Sequence, residues 1–215
     1  MKSINALPQT REEYGAVALL EEAMHPDPFE QFKVWFDQNA QSDPKTCNAM
    51  VLSTVDLLDH PDSRVVLLKE LMAGEFVFYS HYTSEKGLQM ASNPKVALNF
   101  YWSHQSRQVR IRGLVHRLSA EDSDEYFYSR PRESQLSGIA SLQSTVIASR
   151  AELDAAYLRV CAEYSDKDIV RPESWGGYAV VPSQIEFWQG RDSRLHDRIC
   201  YTKNGDHWQM QRLAP

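Results

Sequence analysis

The 215-residue sequence has no apolar run long enough to cross a bilayer; Ala16–Leu20 and Val65–Leu68 fall far below the ~20 residues that a spanning helix needs. A basic-then-apolar signal pattern is also missing, so secretion and membrane insertion are disfavoured and a cytoplasmic protein is expected. Cysteine is scarce. Cys47, Cys161 and Cys200 are odd in number, far apart and outside any CxxC or CxxH pattern, which argues against a disulfide scaffold or a structural zinc site. The nine glycines form neither GxGxxG nor GxxxxGK[ST], which excludes backbone phosphate cradles of the Rossmann and P-loop kinds, and GxSxG and HExxH do not occur. Any phosphate must therefore be held by side chains. Basic residues are in the minority, 23 against 29 acidic for a net charge of −6, so no broad nucleic-acid surface is expected, although a small basic pocket fits that balance.

What is present suffices for an ordered core, because 42% apolar and 11% aromatic residues bury enough area to offset chain entropy. Residues 1–25 read as a polar arm and 26–215 as a single domain. Asp27 as a cap, Pro28 at the first helical position and aromatics at helical spacing predict an amphipathic helix ending near Asn39. The period then shortens. Ala49–Val55, Arg64–Leu68, Glu75–Tyr79, Val96–Trp102 and Gln108–Leu118 are short β-branched or aromatic runs between Asp, Pro, Gly and Ser clusters, as in an antiparallel sheet or barrel. Ser119 and Ser149 are capping residues that open two further helices, the second with Leu153, Tyr157, Val160, Cys161 and Tyr164 on one stripe. Strands are expected again at Tyr178–Val181, Gln184–Trp188 and Arg198–Tyr201, with Asn204-Gly205 as a hairpin signal. The fold class is α+β, mainly antiparallel β, with a barrel-like sheet and peripheral helices.

Four polar clusters carry the candidate chemistry, and each also has a plain structural reading. Arg64 and Lys69 bracket an apolar strand, or are simply its charged ends. Ser84-Glu85-Lys86 opens a helix whose free N–H groups favour an anion, or is an ordinary cap with a solvated lysine. Tyr126 to Ser134 contains Arg130 and Arg132, which suit either a helix C-terminus or bidentate grip on a phosphate. Arg191 to Arg198 is dense in titratable groups that either pair with Asp192 and Asp197 or set His196 between arginines, where its neutral form is favoured.

Taken in order, Arg64–Lys69, Ser84 with Lys86, Tyr126–Ser134, Gln143-Ser144, Trp175-Gly176-Gly177, Ile185–Gly190, Arg194–Arg198 and Arg212-Leu213-Ala214-Pro215 resemble the pyridoxamine 5′-phosphate oxidase family. The resemblance runs from about Arg11 to the last residue and implies an FMN-binding split β-barrel (Greek-key) working as a homodimer, with the flavin between subunits. It implies flavin contacts from Arg64, Val65, Leu67, Leu68, Lys69, Tyr79, Ser80, Ser84, Lys86, Gln108, Gln143, Ser144, Trp188 and Arg198. For the substrate it implies Lys69, Tyr126, Arg130 and Ser134 around a phosphate, Arg194 and His196 as catalytic residues over the ring, and Arg11 and Tyr14 in a mobile lid. Glu85 stands where the family usually carries a cation, which implies an outward-turned side chain or weaker flavin binding.

The implied activity is oxidation of pyridoxamine or pyridoxine 5′-phosphate to pyridoxal 5′-phosphate, with oxygen as acceptor giving hydrogen peroxide. No metal, nucleic acid or membrane enters it. The competing reading is a non-catalytic flavin or pyridoxal-phosphate carrier or sensor on the same barrel. The presence of both Tyr126/Arg130/Ser134 and Arg194/His196 argues against it, since a flavin binder alone has no use for them.

Overall fold

The computed structural model describes residues 18–215. In chain order the elements are α1 (Pro28–Ser42), β1 (Ala49–Val55), β2 (Pro61–Leu67), β3 (Glu70–Met72), β4 (Glu75–His81), α2 (Glu85–Ser92), β5 (Lys95–Trp102), β6 (Arg107–Arg117), α3 (Ala120–Ser129), α4 (Arg132–Ala140), α5 (Arg150–Glu163), β7 (Trp175–Gln189), β8 (Asp197–Asn204) and β9 (His207–Leu213). They form two compact units, one from the described chain up to Cys47 with Tyr101–Val109 and Ile185–Pro215, the other from Asn48–Phe100 and Arg110–Gln184.

In the second unit the strand order is β2-β1-β5-β6-β7-β4-β3. The β1–β2, β1–β5, β3–β4 and β4–β7 ladders are all antiparallel. Alternation places Met50, Leu52 and Thr54 of β1 inward, and Val109, Ile111 and Val115 of β6 inward against exposed Arg112, Leu114 and His116. Phe76, Phe78, Leu98, Phe100 and Ile111 are fully buried, each contributing about 1.5–3 kcal/mol of transfer free energy. A separate apolar cluster of Phe127, Leu136, Ile169 and Trp175 receives Tyr157, Val160, Cys161 and Tyr164, most of the stripe expected on α5.

In the first unit α1 begins where its signals predict, with the Asp27 carboxylate accepting from the Phe29 N–H at 2.8 Å, and runs three residues past Asn39 to Ser42. Its Trp35 meets Phe187 edge-on at 5.2 Å, and Phe187 meets Tyr201 at 5.7 Å. The β8–β9 hairpin closes on the Asn204–His207 pair, and the turn needs a left-handed residue, supplied by Gly205 at φ +59°.

The sheet departs from the sequence reading in one long strand. Tyr178–Val181 and Gln184–Trp188 are parts of β7, which passes through Pro182 without a break. A close backbone approach accommodates that segment: a Cβ on Gly113 would lie 2.2 Å from the Val181 carbonyl oxygen. The short β3 shows no alternation to read, and α4 starts directly after Pro131, whose carbonyl accepts from the Ser134 N–H at 2.8 Å.

Candidate active site

The second unit gathers most of the expected flavin residues. On β2, Arg64 points to the half-buried side and donates through Nη1 to the Leu52 carbonyl (3.3 Å) and Thr54 Oγ1 (2.6 Å). Its Nη2 donates to Asp62 and to Gln89 Oε1 at 3.1 Å, and the Gln89 amide donates to the same Asp62 carboxylate at 3.2 Å. Four of the five guanidinium N–H groups are thus committed within the chain. Val65 and Leu67, on the opposite side of the strand, are exposed, whereas Leu68 is buried and Lys69 exposed.

Ser84 is fully buried and caps α2, accepting from the Gly87 N–H and donating to the His81 carbonyl at 2.7 Å. As the second residue of the helix, Lys86 reaches Ser84 Oγ (3.3 Å) and Gln143 Oε1 (3.0 Å), and that same amide oxygen accepts from Ser80 at 3.3 Å. Burial, followed by the Arg64 charge, holds the Lys86 ammonium below its ordinary pKa. Gln143 and Ser144 line a cavity of about 750 Å3 together with Thr83, Glu85 and Gln89. Ser144 takes a left-handed backbone at φ 70°.

Of the expected substrate residues, Tyr126 and Arg130 meet around Trp175. Tyr79 and Tyr126 stack at 3.7 Å, and Tyr79 stacks in turn on Trp175 at 5.6 Å. Burial pushes the Tyr79 phenol up to about 12. Arg130 lies over the Trp175 ring at 4.7 Å, and its buried Nη1 has no hydrogen-bond partner among the described residues. Burial lowers its pKa as well. The two arginines of this motif part company here, since Arg132 donates to the Tyr164 and Lys167 carbonyls and serves the structure. Ser134 stands half-buried in the first turn of α4.

The remaining residues lie in the first unit. Trp188 packs on the His196 ring at 4.7 Å, and the Arg191 N–H donates to His196 Nδ1 at 3.0 Å, which leaves the ring proton of the neutral imidazole on Nε2. Ser193 and Arg194 are both left-handed, at φ 54° and 61°, in the short turn before β8. The Arg198 fork is held by buried Glu186, with Nε and Nη2 donating to its two carboxylate oxygens at 2.8 and 3.1 Å. Gln108 is half-buried at the start of β6. Arg107 is stacked over Trp35 at 4.3 Å and bonded to Gln189. Arg11 and Tyr14 lie outside the described residues.

Three participants escaped the sequence reading. Asp62 precedes Arg64 by two residues on one strand, so the same-face rule was the available signal. Gln89 sits in the same helix well beyond the serine cap, with no pattern to mark it. His81, at the end of β4, is 5% exposed, and its charged form is disfavoured first by burial and then by Lys86 and Arg130. Lys86, His81 and Arg130 are therefore groups whose cationic forms want an anion, and this donor set fits phosphate esters.

An antiparallel fold with side-chain anion sites of this kind defines a split-barrel, phosphate-ester-binding protein. Residues 36–161 match the family model described as pyridoxamine 5′-phosphate oxidase, and residues 175–215 the one described as pyridoxine 5′-phosphate oxidase C-terminal dimerisation region. The chain belongs to the pyridoxamine 5′-phosphate oxidase family. It is 52% identical to the pyridoxine/pyridoxamine 5′-phosphate oxidase of Legionella pneumophila strain Paris over the whole of both chains. With the enzyme of the same name from Thermosynechococcus vestitus it shares 49% identity, covering 95% of this chain and 97% of the relative. The solved PhzG from Burkholderia lata 383, in complex with tetrahydrophenazine-1-carboxylic acid, superposes with a TM-score of 0.85 at 25% identity, covering 93% of this chain and 99% of that one. The split-barrel fold and the oxidase family read from the sequence are both borne out.

Proposed function

We propose that this protein is an FMN-dependent oxidase that converts pyridoxamine or pyridoxine 5′-phosphate to pyridoxal 5′-phosphate, with oxygen as electron acceptor and hydrogen peroxide as second product. The observation that carries this reading is the juxtaposition of Lys86, His81 and Arg130, the last with a buried nitrogen that has no partner among the described residues, in a chain about half identical to named oxidases. Two phosphate-bearing ligands, cofactor and substrate, would satisfy them. Bound FMN would supply the two-electron oxidation at the substrate's 4′ carbon. Arg64, Ser84, Lys86, Gln143 and Ser144 would hold the cofactor, and Tyr126, Arg130 and Ser134 the substrate phosphate. His196, a neutral Nε2 donor, and Arg194 would orient and polarise the ring.

The working form is a homodimer in the reducing cytoplasm. Support for the dimer comes from the dimerisation-region match and from β2, whose Val65 and Leu67 are 67% and 44% exposed. A second copy would cover that face. Among the described residues no helix is long and apolar enough to cross a membrane. The test is a visible spectrum of the purified protein before and after anaerobic addition of pyridoxine 5′-phosphate. Bleaching of a flavin band is the expected result; a yellow protein that stays yellow would identify a carrier instead.

A further inference from the structure

Helix α2 has a second cavity behind it. Helical spacing turns Glu85, Leu88, Gln89 and Ser92 toward the large cavity that Gln143 and Ser144 line, while Gly87, Met90 and Ala91 line the space on the other side of the helix. This second cavity, of about 260 Å3, is completed by Pro94, by Val115, His116 and Arg117 at the end of β6, and by Tyr178 of β7. Tyr178 is 3% exposed, and its ring stacks on Phe78 at 5.4 Å and meets Tyr82 edge-on at 5.3 Å. Its buried hydroxyl has no hydrogen-bond partner among the described residues. A phenylalanine would pack the same rings without that unsatisfied group, so packing alone does not account for the hydroxyl. Burial pushes the phenol up to about 12, which keeps it a proton donor at neutral pH. Beside it the Arg117 guanidinium stacks over the Tyr82 ring at 4.0 Å, close enough for its charge to pull the phenol the other way, and has no carboxylate partner among the described residues. His116 is engaged elsewhere, its Nε2 meeting Glu75 at 3.0 Å.

We propose that this cavity is a binding site for a small monocarboxylate with an apolar body, the carboxylate held by Tyr178 and Arg117 and the body by Met90, Ala91, Pro94 and Val115. One cation and one neutral O–H donor match a single negative charge, and the remaining wall is mostly apolar, as in sites that bury a small ligand around a few polar anchors. Arg117 is exposed, so its side chain turns off the Tyr82 ring without disturbing the core and opens the hydroxyl to the ligand. The site is separate from the one that Lys86 and Gln143 border, because it uses the opposite face of α2.

The measurement is calorimetric titration of the full-length protein with benzoate and, separately, with its neutral counterpart benzamide, for wild type, Tyr178→Phe, Arg117→Gln and Arg130→Ala. Wild type and Arg130→Ala are expected to bind benzoate alike, in the millimolar range of so small a ligand, and benzamide more weakly. Tyr178→Phe and Arg117→Gln should each bind benzoate roughly tenfold more weakly, the worth of one hydrogen bond to a charged group. The Tm of Tyr178→Phe should not fall below that of wild type, since the change removes an unsatisfied buried hydroxyl. Should that variant unfold, Arg117→Gln decides, because its side chain is exposed. Wild type without saturable benzoate binding overturns the proposal, as does benzoate affinity unchanged in Arg117→Gln or in a folded Tyr178→Phe. Binding lost in Arg130→Ala alone places benzoate at the substrate end and overturns it too.

Discussion

At the scale of single residues, function rests on which cations are already spent. Arg132, Arg107 and Arg198 end on carbonyls, an amide or a carboxylate, while Arg130 keeps a buried nitrogen without a partner. Arg130→Ala should therefore raise KM for the phosphorylated substrate by roughly 10- to 100-fold, the worth of a charged hydrogen bond, and leave kcat nearly unchanged, which steady-state kinetics would show. Arg194→Ala should do the reverse, cutting kcat sharply while the purified protein stays yellow; turnover at the wild-type rate would remove Arg194 from the ring face. His81 sets a pH signature. Its folded pKa is depressed, so between that value and the ordinary 6.5 the unfolded chain binds more protons, and stability is present above this window and lost as pH falls through it. His81→Asn should flatten the decline of Tm as pH falls below about 6.5.

At the scale of elements, α2 is the part on which the proposed cofactor end depends, because one short helix and its cap deliver Ser84, Glu85, Lys86 and Gln89 together. Its position is set by backbone contact at Gly87, where a Cβ would lie 2.3 Å from the Tyr82 carbonyl oxygen and 2.7 Å from that of His81. Neither atom is a flexible side-chain tip. Gly87→Ala should thus displace the helix, lowering stability by about 1–3 kcal/mol and flavin affinity with it, as denaturant unfolding and flavin titration would report. Most elements were legible from caps and periods: α1, α2, α3 and α5 start at Asp27, Ser84, Ser119 and Ser149, each accepting a first-turn N–H. The α3–α4 joint was not, because Pro131 reads as a stop signal, although it ends one helix and begins the next in the space of two residues.

At the scale of the whole molecule, the exposed side of β2 would tie the proposed assembly to the proposed cofactor binding, since Val65 and Leu67 belong to the same strand as Arg64. Val65→Asp should halve the mass observed in sedimentation and release the flavin, whereas a charge at the exposed Leu158 on α5 should do neither. By itself the sequence determined the starts of α1, α2, α3 and α5, the antiparallel sheet, the exclusion of backbone phosphate loops and the order of motifs that marks the family, because caps, alternation and motif spacing are local and survive without coordinates. Only the tertiary structure decided which charged groups meet. Arg64 pairs with Asp62 on the same face of its own strand but with Gln89 from a helix 25 residues away, and Lys86 finds Gln143 at a separation of 57. The free charge of a site is a sum over neighbours brought together by packing, and packing is not written in spacing along the chain.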